Sequence, residues 1–269
     1  MQKVYLRNIS SSTHRPVKVG PRFAGGAAGD IHRLPEIPDQ VLKLYKTERD
    51  REQYAPKLEA MLKSPPKFMT SKPQVKNSPQ LAWPSSIAET SQGHFLGFAM
   101  PEIDFDGSCS LERMLQKKMR QVSGLPEFYG YRFLAAYNLT VNVAALHKYG
   151  HHIIDLKPVN CRLHSDKMLI SIVDCDGFSI NGERGERFGA NQFTPEYIAP
   201  EAFKKKPDEL SESQDLFALA VIIFRLLNNG LHPFQARLPK GVNGGTIQEM
   251  INADYYAYGL NISSRCSPA

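Results

Sequence analysis

The chain has 269 residues, 42% of them hydrophobic, and a formal net charge of +6, which suffices for one large domain or two lobes around a core. The positive excess is scattered (Lys117, Lys118, Arg120; Lys204, Lys205, Lys206) with no interleaved aromatics, which argues for solvated faces and against nucleic-acid binding. Cys109, Cys161, Cys175 and Cys266 follow no metal or redox spacing, and no apolar run reaches about 18 residues, so the expectation is a soluble cytoplasmic protein with reduced thiols and no membrane span.

Residues 1–6 alternate weakly and read as an extra strand, with a serine break at 10–12; residues 15–19 alternate as a half-buried strand does. Ala24-Gly25-Gly26-Ala27-Ala28-Gly29 follows, then Asp30 and Ile31. Small residues there let a backbone approach a polyphosphate, and they equally suit a plain β-hairpin. Residues 40–45 are a strand that includes Val41 and carries Lys43 between apolar neighbours, either a phosphate ligand or a snorkelling surface lysine. Residues 47–63 turn helical, with Tyr54, Leu58, Met61 and Leu62 on one face; Pro56 is predicted to kink this helix or to mark its true start. Residues 64–84 are a proline-rich connector that ends near Trp83, the sole tryptophan and a predicted packed anchor. An apolar strand at 94–100 runs into Pro101-Glu102-Ile103.

Helices come next. Residues 110–121 predict a basic amphipathic helix capped by Ser110, with Leu111, Met114 and Leu115 inward. Residues 128–149 predict a longer one burying Leu134, Tyr137, Val141, Ala144 and Ala145. It leads to the stretch 151–160, where Asp155, Lys157 and Asn160 fall within six positions, in a segment too polar for a core strand and ended by Pro158. An acid there could accept a hydroxyl proton, a lysine could hold a phosphoryl group and an amide could ligate a metal; a polar turn before an ordinary strand is the plain alternative. The next apolar run, at 170–173, ends in Asp174-Cys175-Asp176-Gly177. Residues 215–224 form a hydrophobic helix ended at 229–234, then a loop at 241–245 and a last short helix at 246–254.

Asp155-Leu156-Lys157-Pro158-Val159-Asn160, Asp174-Cys175-Asp176 and Thr194-Pro195-Glu196-Tyr197-Ile198-Ala199-Pro200-Glu201 resemble the catalytic loop, metal-binding loop and activation-segment end of the Ser/Thr protein kinases. Trp83-Pro84 and Gly97-Phe98-Ala99-Met100-Pro101 are closer to a divergent bacterial kinase-like group. The resemblance covers about Arg15 to Tyr256 and implies an α+β, two-lobed fold. A small β-rich N-lobe with one helix would occupy 1–100, a hinge 101–107 and a larger, mainly helical C-lobe 108–269, shortened or truncated at its end.

The resemblance also implies roles. The cofactors would be ATP and Mg2+, and the partner a protein substrate with serine or threonine hydroxyls, this chain included. Asp155 would orient the hydroxyl, Lys157 neutralise the γ-phosphate, and Lys43 hold the α- and β-phosphates. Thr194 would hydrogen-bond Asp155 and Lys157. Asn160 and Asp174 would hold the metal, with Asp176 as a second ligand or a replacement for Asp174. Gly25, Gly26, Gly29 and Ile31 would cover the phosphates, with Ala24 in the first glycine place. Val41 and Met100, the latter as gatekeeper, would line the site, while the Pro101 carbonyl and Ile103 N–H would read adenine. Glu59, or less favourably Glu52, would pair Lys43; Glu201 would make a buried ion pair, with Arg265 as a partner on position alone; Asp215 would brace the catalytic loop. Ile153 and Ile154 replace the family's His-Arg, and Ser179, Thr194 and Tyr197 are the only hydroxyl residues from 174 to 201, so activity is expected to be independent of activation-segment phosphorylation. A catalytically weak or dead nucleotide-binding scaffold is the first alternative, favoured by Ala24, Ile153, Ile154 and the unsettled helix glutamate and disfavoured by the presence of Lys43, Asp155, Lys157, Asn160 and Asp174. A small-molecule phosphotransferase is the second, disfavoured by the 194–201 segment, which that class lacks.

Overall fold

The computed structural model describes residues 3–9, 14–67, 79–242, 244–259 and 265–269. The serine break at 10–12, the middle of the proline-rich connector and residue 243 of the glycine-rich loop lie outside the described residues.

The N-terminal lobe is built on an antiparallel sheet of β1 (Val4–Arg7), β2 (His14–Val17), β3 (Arg22–Gly25), β4 (Gly29–Arg33), β5 (Gln40–Tyr45), β6 (Ser86–Glu89) and β7 (Phe95–Pro101), in the order β2-β1-β6-β7-β5-β4-β3. Strand β5 divides its side chains by the two-residue period of a pleated strand. Leu42 and Leu44 join Val4, Leu6, Leu34 and Ala99 on one face; Val41, Lys43 and Tyr45 point to the other. Gly97 of β7 stands opposite Leu44, and a Cβ there would overlap the Lys43 carbonyl. The missing side chain lets β7 lie close against the strand that carries Lys43.

Helix α1 (Glu48–Lys63) starts at Thr47, whose Oγ1 accepts the Asp50 N–H at 3.1 Å. Pro56 neither starts nor ends it: the helix continues on both sides. An interior proline costs about 3 kcal/mol. Burial of Leu58 and Met61, both fully enclosed, contributes about 1.5–3 kcal/mol each and outweighs that loss. Trp83 anchors the same helix by donating its indole N–H to the Met61 carbonyl at 3.0 Å.

The C-terminal lobe contains β8 (Cys109–Ser110), β9 (Cys161–His164) and β10 (Leu169–Ile172) in a three-stranded sheet, the two-stranded pair β11 (Ile180–Asn181) and β12 (Arg187–Phe188), and five α-helices among the described residues. The segment predicted as one helix at 110–121 is two, α2 (Glu112–Leu115) and α3 (Lys117–Val122), because Gln116 is extended at φ −101° and ψ 139°. The Arg120 guanidinium donates to the Met114 and Leu115 carbonyls, each at 3.0 Å, and so stabilises the break. Helix α4 (Tyr129–Lys148) is rotated from its predicted face. Ala135, Ala136, Leu139, Val143 and Leu146 are buried, whereas Leu134 and Tyr137 are exposed. Two polar residues share the buried face because partners await them: Arg132 donates to the Leu226 carbonyl and the Asn229 side chain, and Asn142 to the Ile170 carbonyl. Helix α5 (Glu212–Leu227) packs on α4, and α6 (Ile247–Asn252) begins with a Thr246–Glu249 capping box. None of the helices among the described residues is long and apolar enough to cross a membrane.

Candidate active site

A cleft of about 390 Å³ lies between the lobes. Its roof is the β3–β4 turn, where Gly26 N donates to the Gly29 carbonyl at 2.9 Å. Ala24, Gly25, Gly26 and Gly29 all line it. None of these glycines needs a positive φ; what they provide is room. A Cβ on Gly29 would press on the Leu44 carbonyl at 2.8 Å, and at Gly26 it would meet only open space facing the cleft. Ile31, Val41, Ala82, Met100 and Val173 supply an apolar interior, and Pro101 and Ile103 close the hinge side. Glu102 N is bound by the Asp39 carbonyl at 2.9 Å, whereas no acceptor among the described residues holds the Ile103 N–H.

Lys43 is buried at the back of this cleft. Its Nζ donates to Asp176 Oδ2 at 2.7 Å and Oδ1 at 2.9 Å, and lies 3.3 Å from Asp174 Oδ1. Tyr45, two residues along the same face of β5, donates its hydroxyl to Asp176 Oδ2 at 2.7 Å. Burial would push the Lys43 ammonium down, but Asp176 and then Asp174 outweigh it and the net shift is upward. Burial likewise opposes the Asp176 charge, and the Lys43 and Tyr45 contacts still hold it below the usual carboxylate range. Glu59 does not pair Lys43. It faces the added strand β1, with Arg7 Nη2 at 2.8 Å, and Glu52 is exposed. From α1 the site receives Tyr54, stacked on Tyr45 at 4.7 Å, and the buried Lys57. Lys57 Nζ donates to the Gly189 carbonyl at 3.0 Å, and burial lowers its pKa to about 8 against the pull of Asp176 and Asp174.

Asp174 and Asp176 are thus separated by environment. Asp174 adopts the left-handed conformation (φ 62°, ψ 36°) and turns its side chain, 46% exposed, into the cleft. Asp176 also lines the cleft but is enclosed, and both of its oxygens accept hydrogen bonds from Lys43 or Tyr45, so Asp174 offers the more open carboxylate. Asn160 also lines the cleft; its amide nitrogen donates to the Asp155 carbonyl at 3.3 Å, which leaves Oδ1 for the opening. Two oxygen donors on one cleft suit a hard divalent cation that takes its other ligands from phosphate and water.

At the mouth, Thr194 donates to Asp155 Oδ1 at 2.6 Å, and Lys157 donates to Asp155 Oδ2 at 2.7 Å and to Thr194 Oγ1 at 2.8 Å. The carboxylate is therefore fixed in direction, with an ammonium beside it. Asp215 of α5, fully buried, accepts the N–H groups of Ile153 and Ile154 from below. Glu201 is exposed, and Arg265 instead reaches Asp254 at 3.7 Å, so the expected buried pair is corrected. Gln214 takes over the anchoring: its side chain accepts the Ala199 N–H at 3.0 Å and donates to the Tyr197 carbonyl at 2.8 Å.

The sequence profile of the protein kinase domain matches residues 108–264, more than half of the chain. The chain belongs to the protein kinase family. It is 24% identical to Protein kinase YegI of Escherichia coli (strain K12) over 258 residues, which cover 93% of this chain and 37% of that protein. Over 127 residues it is 32% identical to Calcium-dependent protein kinase 32 of Arabidopsis thaliana, covering 46% of this chain and 23% of the relative. Over 87 residues it is 42% identical to the mouse phosphorylase b kinase gamma catalytic chain, liver/testis isoform, covering 31% of this chain and 21% of that protein. The chain thus spans 37% of the length of the YegI kinase it matches.

Sequence reasoning missed Tyr45, Lys57 and Gln214. The first had a readable signal, since residues two apart on a strand share a face. Lys57 and Gln214 had none, because their partners are backbone carbonyls and N–H groups of the activation segment.

Proposed function

We propose that this chain transfers the γ-phosphoryl group of Mg-ATP to serine or threonine hydroxyls of proteins. Asp155 orients the acceptor hydroxyl and receives its proton as the new O–P bond forms and the bond to the ADP oxygen breaks. Lys157 offsets charge on the transferring group, and Lys43 holds the α- and β-phosphates. Asn160 and Asp174 would hold Mg2+, which supplies charge neutralisation between the phosphates. The Ile103 N–H and Pro101 carbonyl would read the adenine edge, under Met100 and Val41.

The observation that carries the reading is the Asp155–Thr194–Lys157 triangle, with contacts of 2.6, 2.7 and 2.8 Å. It ties the end of the activation segment, where a peptide would dock, to the carboxylate that would receive the proton. Phosphoamino-acid analysis after incubation with Mg-ATP and a generic basic protein tests it. Phosphoserine or phosphothreonine on the protein or on this chain is expected. Nucleotide binding without any transfer, or transfer to an aminoglycoside alone, would contradict it.

A further inference from the structure

The carboxylate that fixes Lys43 does not come from helix α1. Glu59 is held by Arg7 at 2.8 Å, Glu52 is exposed, and the α1 side chains that face the site are the aromatic Tyr54 and the cationic Lys57. Asp176, two residues beyond Asp174, fills the position. Its carboxylate is 4% exposed and accepts two contacts from Lys43 Nζ and one from the Tyr45 hydroxyl. We propose that Asp176, itself fixed by Tyr45, is the positioning residue for Lys43, so that nucleotide affinity is set within β5 and the metal-binding loop and not by a carboxylate on α1. The inference rests on the nucleotide-binding reading above.

Three observations converge on it. A buried ammonium needs a paired acceptor, and Asp176 offers both oxygens at hydrogen-bond distance. Tyr45 shares the Lys43 face of β5 because it lies two residues on, so one strand supplies both donors. Helix α1, for its part, sends no carboxylate to Lys43: its polar contacts run from Arg7 to Glu59, from Trp83 to the Met61 carbonyl and from Lys57 to the Gly189 carbonyl, and it meets the site through the Tyr54 ring. A carboxylate on α1 would make nucleotide binding follow every movement of that helix, whereas here Lys43 follows the loop that carries Asp174.

The test measures ADP affinity by calorimetry in the presence of EDTA, and the KM for ATP together with its Mg2+ dependence, for wild type, Asp176→Asn, Tyr45→Phe and Glu59→Gln. Asp176→Asn is expected to weaken ADP binding and raise the KM by about tenfold or more while leaving the half-saturating Mg2+ concentration unchanged, since only the Lys43 placement is lost. Tyr45→Phe, which keeps the ring packing, should give a smaller change in the same direction, and it carries the test should Asp176→Asn not fold. Glu59→Gln should stay within about twofold of wild type on every reading. Absence of nucleotide binding by wild type both in EDTA and with Mg2+ would overturn the functional reading. Wild-type binding with unchanged affinity in Asp176→Asn or in Tyr45→Phe, or a tenfold loss in Glu59→Gln, would overturn this inference alone.

Discussion

Asp215 accepts the backbone N–H groups of both Ile153 and Ile154, at 2.7 and 2.6 Å, and holds Ile154 at a φ of 63°. A β-branched residue in that region is strained by about 1–3 kcal/mol and stays there only when its surroundings over-determine it. His147 Nε2, 2.9 Å from the same carboxylate, completes the brace. Asp215→Asn presents an amide N–H2 to one of the two backbone donors. It is expected to destabilise the fold by about 3 kcal/mol and to lower transfer further, because Asp155 follows directly. Thermal denaturation beside an initial-rate assay checks this; full retention of both would remove Asp215 from the account.

The Ile154 side chain also explains how the activation segment is held. It packs with Ala190, Ile198, Ala199, Ala202 and Leu210, with Phe193 against them. Phe188, earlier in the same segment, packs against the main core instead. An apolar cluster stands where many kinases place an arginine that receives a phosphate. Phosphatase-treated protein should keep its initial rate and Ser179→Ala should be near neutral, whereas Ile154→Ala should lose about 2–4 kcal/mol of stability. A large rate loss on dephosphorylation, restored by rephosphorylation, would contradict this.

Acid should loosen the same segment through His232. The ring is buried; its Nε2 donates to the Glu196 carbonyl at 3.0 Å, and Nδ1 accepts the Phe234 N–H at 3.2 Å. Burial depresses its pKa to about 4 from an ordinary 6.5. The unfolded chain therefore binds a proton first, so this contribution is intact above about pH 6.5 and is lost as pH falls to about 4, on the order of 3 kcal/mol in all. Denaturant titrations at pH 7 and pH 4.5 should show a smaller acid loss in His232→Gln than in wild type. Equal losses would place the acid sensitivity elsewhere.

The two loop aspartates should behave differently. Asp174→Asn removes an exposed oxygen donor on the cleft and is expected to raise the Mg2+ requirement and abolish measurable transfer. Asp176→Asn should retain a measurable rate at saturating ATP. The reverse ranking in a Mg2+ titration of initial rates would exchange their roles.

Much of this was legible in the sequence because it is local. The alternation of β5, the spacing of Asp155, Lys157 and Asn160, and the Asp174 that follows an apolar strand each depend on a few consecutive residues. What could not be read depends on partners distant in sequence. The place of Glu59 on α1 points to Lys43, but β1, separated from the Lys43 strand by β6 and β7, adds Arg7 and takes it. The face of α4 was misread because Leu134 and Tyr137 are exposed while Arg132 and Asn142 are buried, an inversion that only the carbonyls of α5 and β10 explain. Pro56 does not mark the start of α1: the local cost of a proline is visible in sequence, and the burial of the surrounding turns is not.

Transfer of labelled γ-phosphate from Mg-ATP, compared between wild type and Asp155→Asn at matched thermal stability, tests the central claim most directly. The account predicts incorporation into protein by wild type and a loss of about 10²-fold or more in the variant. Wild-type rates in Asp155→Asn, or no incorporation by a wild type that binds the nucleotide, would contradict it.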